Sequence, residues 1–248
     1  MLITVILWTS NPSTPPTDVS TPFSARYATA IGEVRDVALP DGSRLTLGAA
    51  SAVAIDFSAD TRRAQLDAGE VFFDVVSEAS RAFMVRAGDM DATVVGTQFD
   101  VRLSDDSVRV AVAEGEVRVA YPLVLTSGVK DLRIERRLSA GKQVLASTQE
   151  GLQPVEPANV TAIGAWRDDK LLYDGAPLTE LIEDANRYTD ARVVIDGDRA
   201  TVAALRVRGS FNARDIDGML SALAEIYPLD VDRSTAGVVR ISPRRAAN

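Results

Sequence analysis

The sequence predicts a mainly β protein: a stacked-sheet β domain, sandwich or solenoid-like, followed by a small α+β domain with a repeated β-α-β unit. Three observations predict it. From Phe23 to about Ser147, short alternating runs are broken by turn residues such as Pro40-Asp41-Gly42, Ala87-Gly88-Asp89 and Ser104-Asp105-Asp106. A Gly-Glu-Val unit recurs at Gly32, Gly69 and Gly115, with Ala140-Gly141-Lys142 a weaker copy. Beyond Ala165 the period changes from that of strands to that of helices set between strands.

In the first region Val108, Val110 and Val112 fall on one face of a strand, with Arg109 and Ala111 on the other, as in a sheet with one buried side. A glycine entering a β run suggests a turn or bulge, so each Gly-Glu-Val copy is expected to open an equivalent strand, its Glu facing solvent.

The second region contains its own repeat. Leu178, Leu181, Ile182, Ala185 and Tyr188 recur as Ile216, Met219, Leu220, Leu223 and Ile226, each pair offset by 38, as are Tyr173 with Phe211 and Val193 with Val231. Each set has the i, i+3, i+4, i+7 spacing of an apolar helix face, which predicts two substantial helices, near 177–188 and 215–227. Pro177 suits a first turn because it needs no donor there, Asp215 suits a helix start, and Pro228 stops the second helix. A last run, Val238 to Ser242, is expected to close or edge the sheet. The domain boundaries that follow are 1–22, 23–150, a linker at 151–164, and 165–248.

Composition narrows the function. The 248 residues are 46% hydrophobic and 25% charged, ordinary for a globular chain, and the net charge of −8 disfavours nucleic acid as a partner. With no His and no Cys, catalytic triads built on His, Cys-His pairs and the usual zinc ligand sets are excluded. No cofactor or metal site is expected. The acidic pairs Asp89 and Asp91, Asp105 and Asp106, and Asp168 and Asp169 read as solvated turns rather than as a cation or glycosidase site.

The first eight residues are apolar except Thr4, yet as a helix they would span roughly 12 Å of a hydrocarbon core about 30 Å thick. A Pro/Ser/Thr-rich linker follows. The segment reads either as a loose tail or as the outer end of a membrane helix, with Trp8 at the interface. Trp166 reads as packing at a domain junction.

The runs LPDGSRLTLGAASAV (Leu39 to Val53), LDAGEVFFDV (Leu66 to Val75), RAFMVRAGD (Arg81 to Asp89), VVGTQFDVR (Val94 to Arg102) and VAEGEVRV (Val112 to Val119) resemble, in order, the motifs of FecR-type anti-sigma regulators. The sequence departs from that pattern at Ser77 and Ala82, where relatives often carry His and Pro. The tail resembles the short domain of secretins and TonB-dependent transducers.

The resemblance implies the periplasmic part of a transmembrane anti-sigma regulator, anchored to the inner membrane. It would relay a signal, as in iron-uptake regulation, from the signalling domain of a TonB-dependent outer-membrane receptor to an extracytoplasmic-function sigma factor. The sigma factor would be reached only through a cytoplasmic segment absent from this sequence. The resemblance also implies self-cleavage between Gly96 and Thr97, a single-turnover reaction and not enzymatic activity. On the residues alone, Gly96 reads as a bulge and Thr97 as an ordinary β-former.

Partner capture is expected at open strand edges, by Leu205, Val207, Gly209 and Phe211 or by Val239 and Ile241. The alternative reading is an envelope β-rich adhesin or carbohydrate-binding scaffold.

Overall fold

The computed structural model describes residues 22–123, 132–197 and 199–244; the apolar start, with Trp8, lies outside them. In chain order the first strands are β1 (Phe23–Ala28), β2 (Arg35–Ala38), β3 (Arg44–Leu47), β4 (Ala52–Phe57), β5 (Arg62–Val75), β6 (Phe83–Ala87) and β7 (Met90–Val94). They are followed by β8 (Thr97–Leu103), β9 (Ser107–Glu114), β10 (Glu116–Pro122), β11 (Arg133–Ser139), β12 (Lys142–Ser147), and the short β13 (Gly151–Leu152) and β14 (Glu156–Pro157).

Their pairings divide into two faces joined through β5. The first sheet runs β1-β4-β5-β6-β7-β10-β11, and the second runs β2-β3-β5-β8-β9-β12 with β13 and β14 added to β12. The first half of β5 pairs with β4 and β6, the second with β3 and β8. Between the sheets lies an apolar core, in which Phe73 of the second sheet meets Phe83 of the first at 6.1 Å between ring centroids and stacks on Phe99 at 5.1 Å. This is the expected stacked-sheet architecture, and the alternating valines of β9 point into it.

Of the Gly-Glu-Val copies, Gly115 opens a strand as expected, β10 starting at Glu116, and the weaker copy at Gly141 opens β12; all four share a further feature. Each glycine lies where the chain passes between sheets: Gly32 between β1 and β2, Gly115 between β9 and β10, Gly141 between β11 and β12. Gly69 lies inside β5 at its switch point, with φ +81. A Cβ there would meet backbone, 2.7 Å from Ser51 Cα and 2.8 Å from Ala50 O, so glycine is required both for its dihedral and for its size. The Ser51 hydroxyl, beside that bare Cα, accepts the Glu70 N–H at 2.9 Å.

A buried arginine ties the crossing from β5 to β6 to the turn between β2 and β3. Arg62 has no exposed side-chain surface. It donates to Asp41 Oδ2 at 2.9 Å, Arg81 O at 2.9 Å and Val76 O at 3.1 Å, and lies 5.6 Å from the Phe83 ring centroid. Its charge is thereby paired and its donors are satisfied, which a buried guanidinium requires.

The C-terminal part opens on a short 3-10 helix, Ala165–Asp168, and continues with β15 (Lys170–Pro177), α1 (Leu178–Tyr188), β16 (Arg192–Ile195), α2 (Arg199–Ala204), β17 (Arg206–Asn212), α3 (Ile216–Ile226), β18 (Leu229–Thr235) and β19 (Val238–Pro243). The two 11-residue helices start and end 38 residues apart, as the repeat predicts. Pro177 sits at the N-cap of α1, and the Asp215 side chain caps α3 by accepting the Gly218 N–H at 2.9 Å. The six-residue α2 between the units carries no counterpart in the sequence repeat.

Here β15 pairs with β17, and β19 runs in the middle of β16-β19-β18. The closing strand is therefore central and not an edge: parallel pairing to β16 and antiparallel pairing to β18 occupy both its sides.

The switch in β5 gives a direct test. Gly69→Ala is expected to cost about 2–4 kcal/mol in urea unfolding, because a methyl must displace backbone. Gly151→Ala, with φ +70 and open space around it, is expected to cost about 1 kcal/mol.

Candidate functional site

The outer face of the second sheet carries charge where it meets α1. Register places Glu70 beside Arg102 and Arg102 beside Arg109, a row across β5, β8 and β9 on the side turned away from the core. Crossing it, α1 presents Glu180, Asp184 and Arg187, spaced i, i+4, i+7. Arg102 Nη1 reaches Asp184 Oδ1 at 2.8 Å, Arg109 Nη1 donates to Glu180 Oε1 at 2.7 Å, and Arg187 Nη1 donates to Glu70 Oε2 at 2.8 Å. Tyr173 donates its O–H to Asp184 Oδ2 at 2.7 Å, and Trp166 Nε1–H donates to Asp100 Oδ2 at 3.0 Å. Side-chain exposure is only 7% for Arg102, 4% for Asp184 and 8% for Glu70, so these are buried charges.

Burial alone would raise the Glu70 carboxyl, but the fields of Arg187, Arg102 and Arg109 override it and bring its pKa down to about 2. Asp100 moves the other way: burial, the adjacent Glu70 charge and the hydrogen bond they share push it well above the ordinary carboxylate range. The two neighbouring carboxyl groups thus shift in opposite directions, Glu70 toward the ionised form and Asp100 toward the protonated one. Facing the guanidinium groups of Arg102, Arg109 and Arg187 are Glu70, Glu180 and Asp184. Burial, ahead of Asp184's charge, also raises Tyr173 well above its usual value, which keeps it a donor.

The expectation that the Gly-Glu-Val glutamates face solvent fails at Glu70. Its position two residues before Phe72 puts it on the outer face, but α1 and Trp166 cover that face. The signal was present as the charged stripe Glu180, Asp184 and Arg187 beside the apolar stripe of α1, and as Arg102 and Arg109 in otherwise apolar strands. Nothing in the local pattern said that the two would meet. Below β15 a cleft of about 390 Å³ opens, with Asp100, Arg102 and Arg109 among its lining residues.

Gly96 and Thr97 lie at another crossing, from β7 to β8. Thr97 is buried, and its hydroxyl donates to Glu116 O at 2.9 Å. A cavity of about 330 Å³ bordered by Glu116, Arg118 and Arg137 runs alongside the Gly96–Thr97 peptide.

The strand-edge residues separate by register. Leu178 N–H donates to Leu205 O and Ala213 N–H to Asp169 O, which sets the pairing so that the N–H groups of Val207, Gly209 and Phe211 point to β15. The outward groups belong to the even-numbered residues, Arg208 and Ser210 among them, and no strand pairs there among the described residues. Val239 and Ile241 are buried and flanked by strands on both sides, so the expectation of an edge at that position is corrected.

Of the acidic pairs, Asp91 is bound to Arg86 at 2.7 Å and Asp169 to Arg214 at 2.7 Å. No group of three or more acidic side chains among the described residues is arranged to hold a metal, and no described helix is long and apolar enough to cross a membrane.

Comparison with known proteins gives two findings. Residues 25–118 match the model of the family described as FecR protein. Two crystal structures of a "putative anti-sigma factor" from Parabacteroides distasonis, at 2.50 and 1.65 Å resolution, superpose with a TM-score of 0.77 each. Their identities are 22% and 23%, covering 89% and 88% of this chain and 99% and 98% of theirs. At that identity the likeness is one of fold. A search of curated proteins found no match.

The charge row predicts an acid response. Because the folded pKa of Glu70 lies below its unfolded value of 4.5, Glu70 stabilises the protein above about pH 4.5, and that contribution, on the order of 3 kcal/mol, is lost as pH falls through about 2. Asp100 has the opposite sign: its contribution is present below the ordinary carboxylate range and lost as pH rises through its raised pKa. In carboxyl-carbon NMR titration, Arg187→Met is expected to move the Glu70 midpoint upward; an unmoved midpoint would rule out Arg187 as the main counter-charge.

Proposed function

Since this chain carries a FecR domain over residues 25–118, we propose that it is the periplasmic part of an anti-sigma regulator that relays a signal from a TonB-dependent outer-membrane transducer. The FecR match is the observation that carries the reading. The fold shared with the Parabacteroides distasonis structures over nearly their whole length supports it. The sigma factor would be engaged through a cytoplasmic segment, and the inner membrane through a membrane helix.

The transducer's signalling domain would add a strand at the outward edge of β17, where Arg208 and Ser210 offer main-chain donors. Main-chain pairing tolerates side-chain change but not the loss of an N–H. Arg208→Pro and Ser210→Pro are therefore expected to abolish capture of an isolated signalling domain in pull-downs, while Arg208→Ala keeps it. Capture that persists in both folded proline variants would refute this mode, and failure of the parent to capture any transducer signalling domain would count against the relay.

Self-cleavage between Gly96 and Thr97 belongs to the same proposal. The buried Thr97 hydroxyl adjoins a carbonyl at a tight crossing, and the neighbouring cavity admits water. Intact-mass analysis after long incubation with protease inhibitors is expected to give two fragments, the second starting at Thr97. Thr97→Ala should remain one mass and Thr97→Ser should retain some cleavage; an uncut parent would make Gly96 a structural element only.

A further inference from the structure

We infer that Gly115 is a positioning residue for the Gly96–Thr97 peptide, an inference that rests on the self-cleavage reading above. Gly115 lies where the chain leaves the second sheet for the first, with φ +85. A Cβ built on it would stand 3.0 Å from the Gly96 carbonyl oxygen, 3.0 Å from Thr97 Oγ1 and 3.3 Å from Thr97 Cα.

Those two oxygens are the ones that change in an N-to-O acyl shift. Thr97 Oγ1 bonds to the Gly96 carbonyl carbon, the carbonyl oxygen carries the negative charge in the tetrahedral state, the C–N bond breaks, and the hydroxyl proton ends on the Thr97 nitrogen. Water then adds to the ester carbon, leaving a Gly96 carboxyl group and the Thr97 hydroxyl. No oxidant, metal or cofactor enters the balance.

The peptide is confined at Gly96 too. A Cβ on Gly96 would stand 2.6 Å from Ser77 Cα, so backbone lies against backbone there as well. The residue after Gly115 supplies the carbonyl that accepts the Thr97 O–H, at 2.9 Å. The bare Cα of Gly115 therefore leaves the space in which both oxygens sit. A methyl at 115 must push one or both by a few tenths of an ångström, and attack depends on the approach distance and alignment of the reacting atoms.

Gly141 supplies the matched control. It occupies a sheet crossing with φ +75, and its added Cβ would meet only Val160 Cγ2, at 3.5 Å. Gly115→Ala and Gly141→Ala share the positive-φ strain, but only the first touches the peptide.

The test uses the purified whole chain, with fragment appearance followed by intact mass, with and without hydroxylamine, and with melting temperature recorded for each variant. Gly141→Ala is expected to cut at the parent's rate and Gly115→Ala at least about tenfold more slowly. Where Gly115→Ala does not melt cooperatively, Gly115→Asn carries the test, since Asn tolerates positive φ and brings the same Cβ. Cleavage of the folded 115 variant at the parent's rate overturns the role of Gly115 alone, whereas an uncut parent overturns the self-cleavage reading and this inference together.

Discussion

The buried contact between Arg102 and Asp184 fixes how the α+β part sits on the β body. A guanidinium with 7% exposure must have its charge met, and Asp184, held further by Tyr173, meets it at 2.8 Å. Rotating or sliding α1 by one residue would leave Arg102, Arg109 and Arg187 facing the wrong atoms. The apolar contacts at the same interface, Phe72 and Trp166 within the second core, tolerate small shifts far better. Hydrophobic burial supplies the attraction, and the charge row selects one arrangement.

That division of labour explains the two cores. Alternate residues of β5, β8 and β9 point inward to the stacked phenylalanines or outward to the charge row, so one strand serves both layers. The Glu70–Asp100 pair sits where the layers join. Their pKa values move apart, Glu70 down and Asp100 up, as expected of two carboxyl groups packed together beneath three guanidinium groups.

Much of the fold is legible in the sequence because it is written in local periods. The 38-residue offset places both long helices, and the alternating valines place β9. The glycines of the Gly-Glu-Val units mark real features: all lie at a change of sheet, and Gly115 and Gly141 also open the strand that follows. The buried row was not legible for a physical reason: Glu70 and Arg187 are 117 residues apart, and a charged residue on a strand's outer face looks the same whether water or a helix covers it. The edge assignment failed for β19, and for β17 it held for the strand but not for the residues named, for a related reason. Which strand lies centrally, and which way an N–H points, follow from pairing register, and residue type says little about either. Val207 and Val239 are good β-formers on any side of a sheet, and here both spend their main-chain donors on existing strands or lie between them.

A charged, buried junction is one whose groups regain water when it opens, so it is specific when closed without being irreversible. A double-mutant cycle on Arg102→Met and Asp184→Leu, read by urea unfolding, tests directly whether this contact holds the junction. Each single variant is expected to lose about 3–5 kcal/mol and the double variant much less than their sum, a coupling of at least about 2 kcal/mol. Losses that simply add would contradict it.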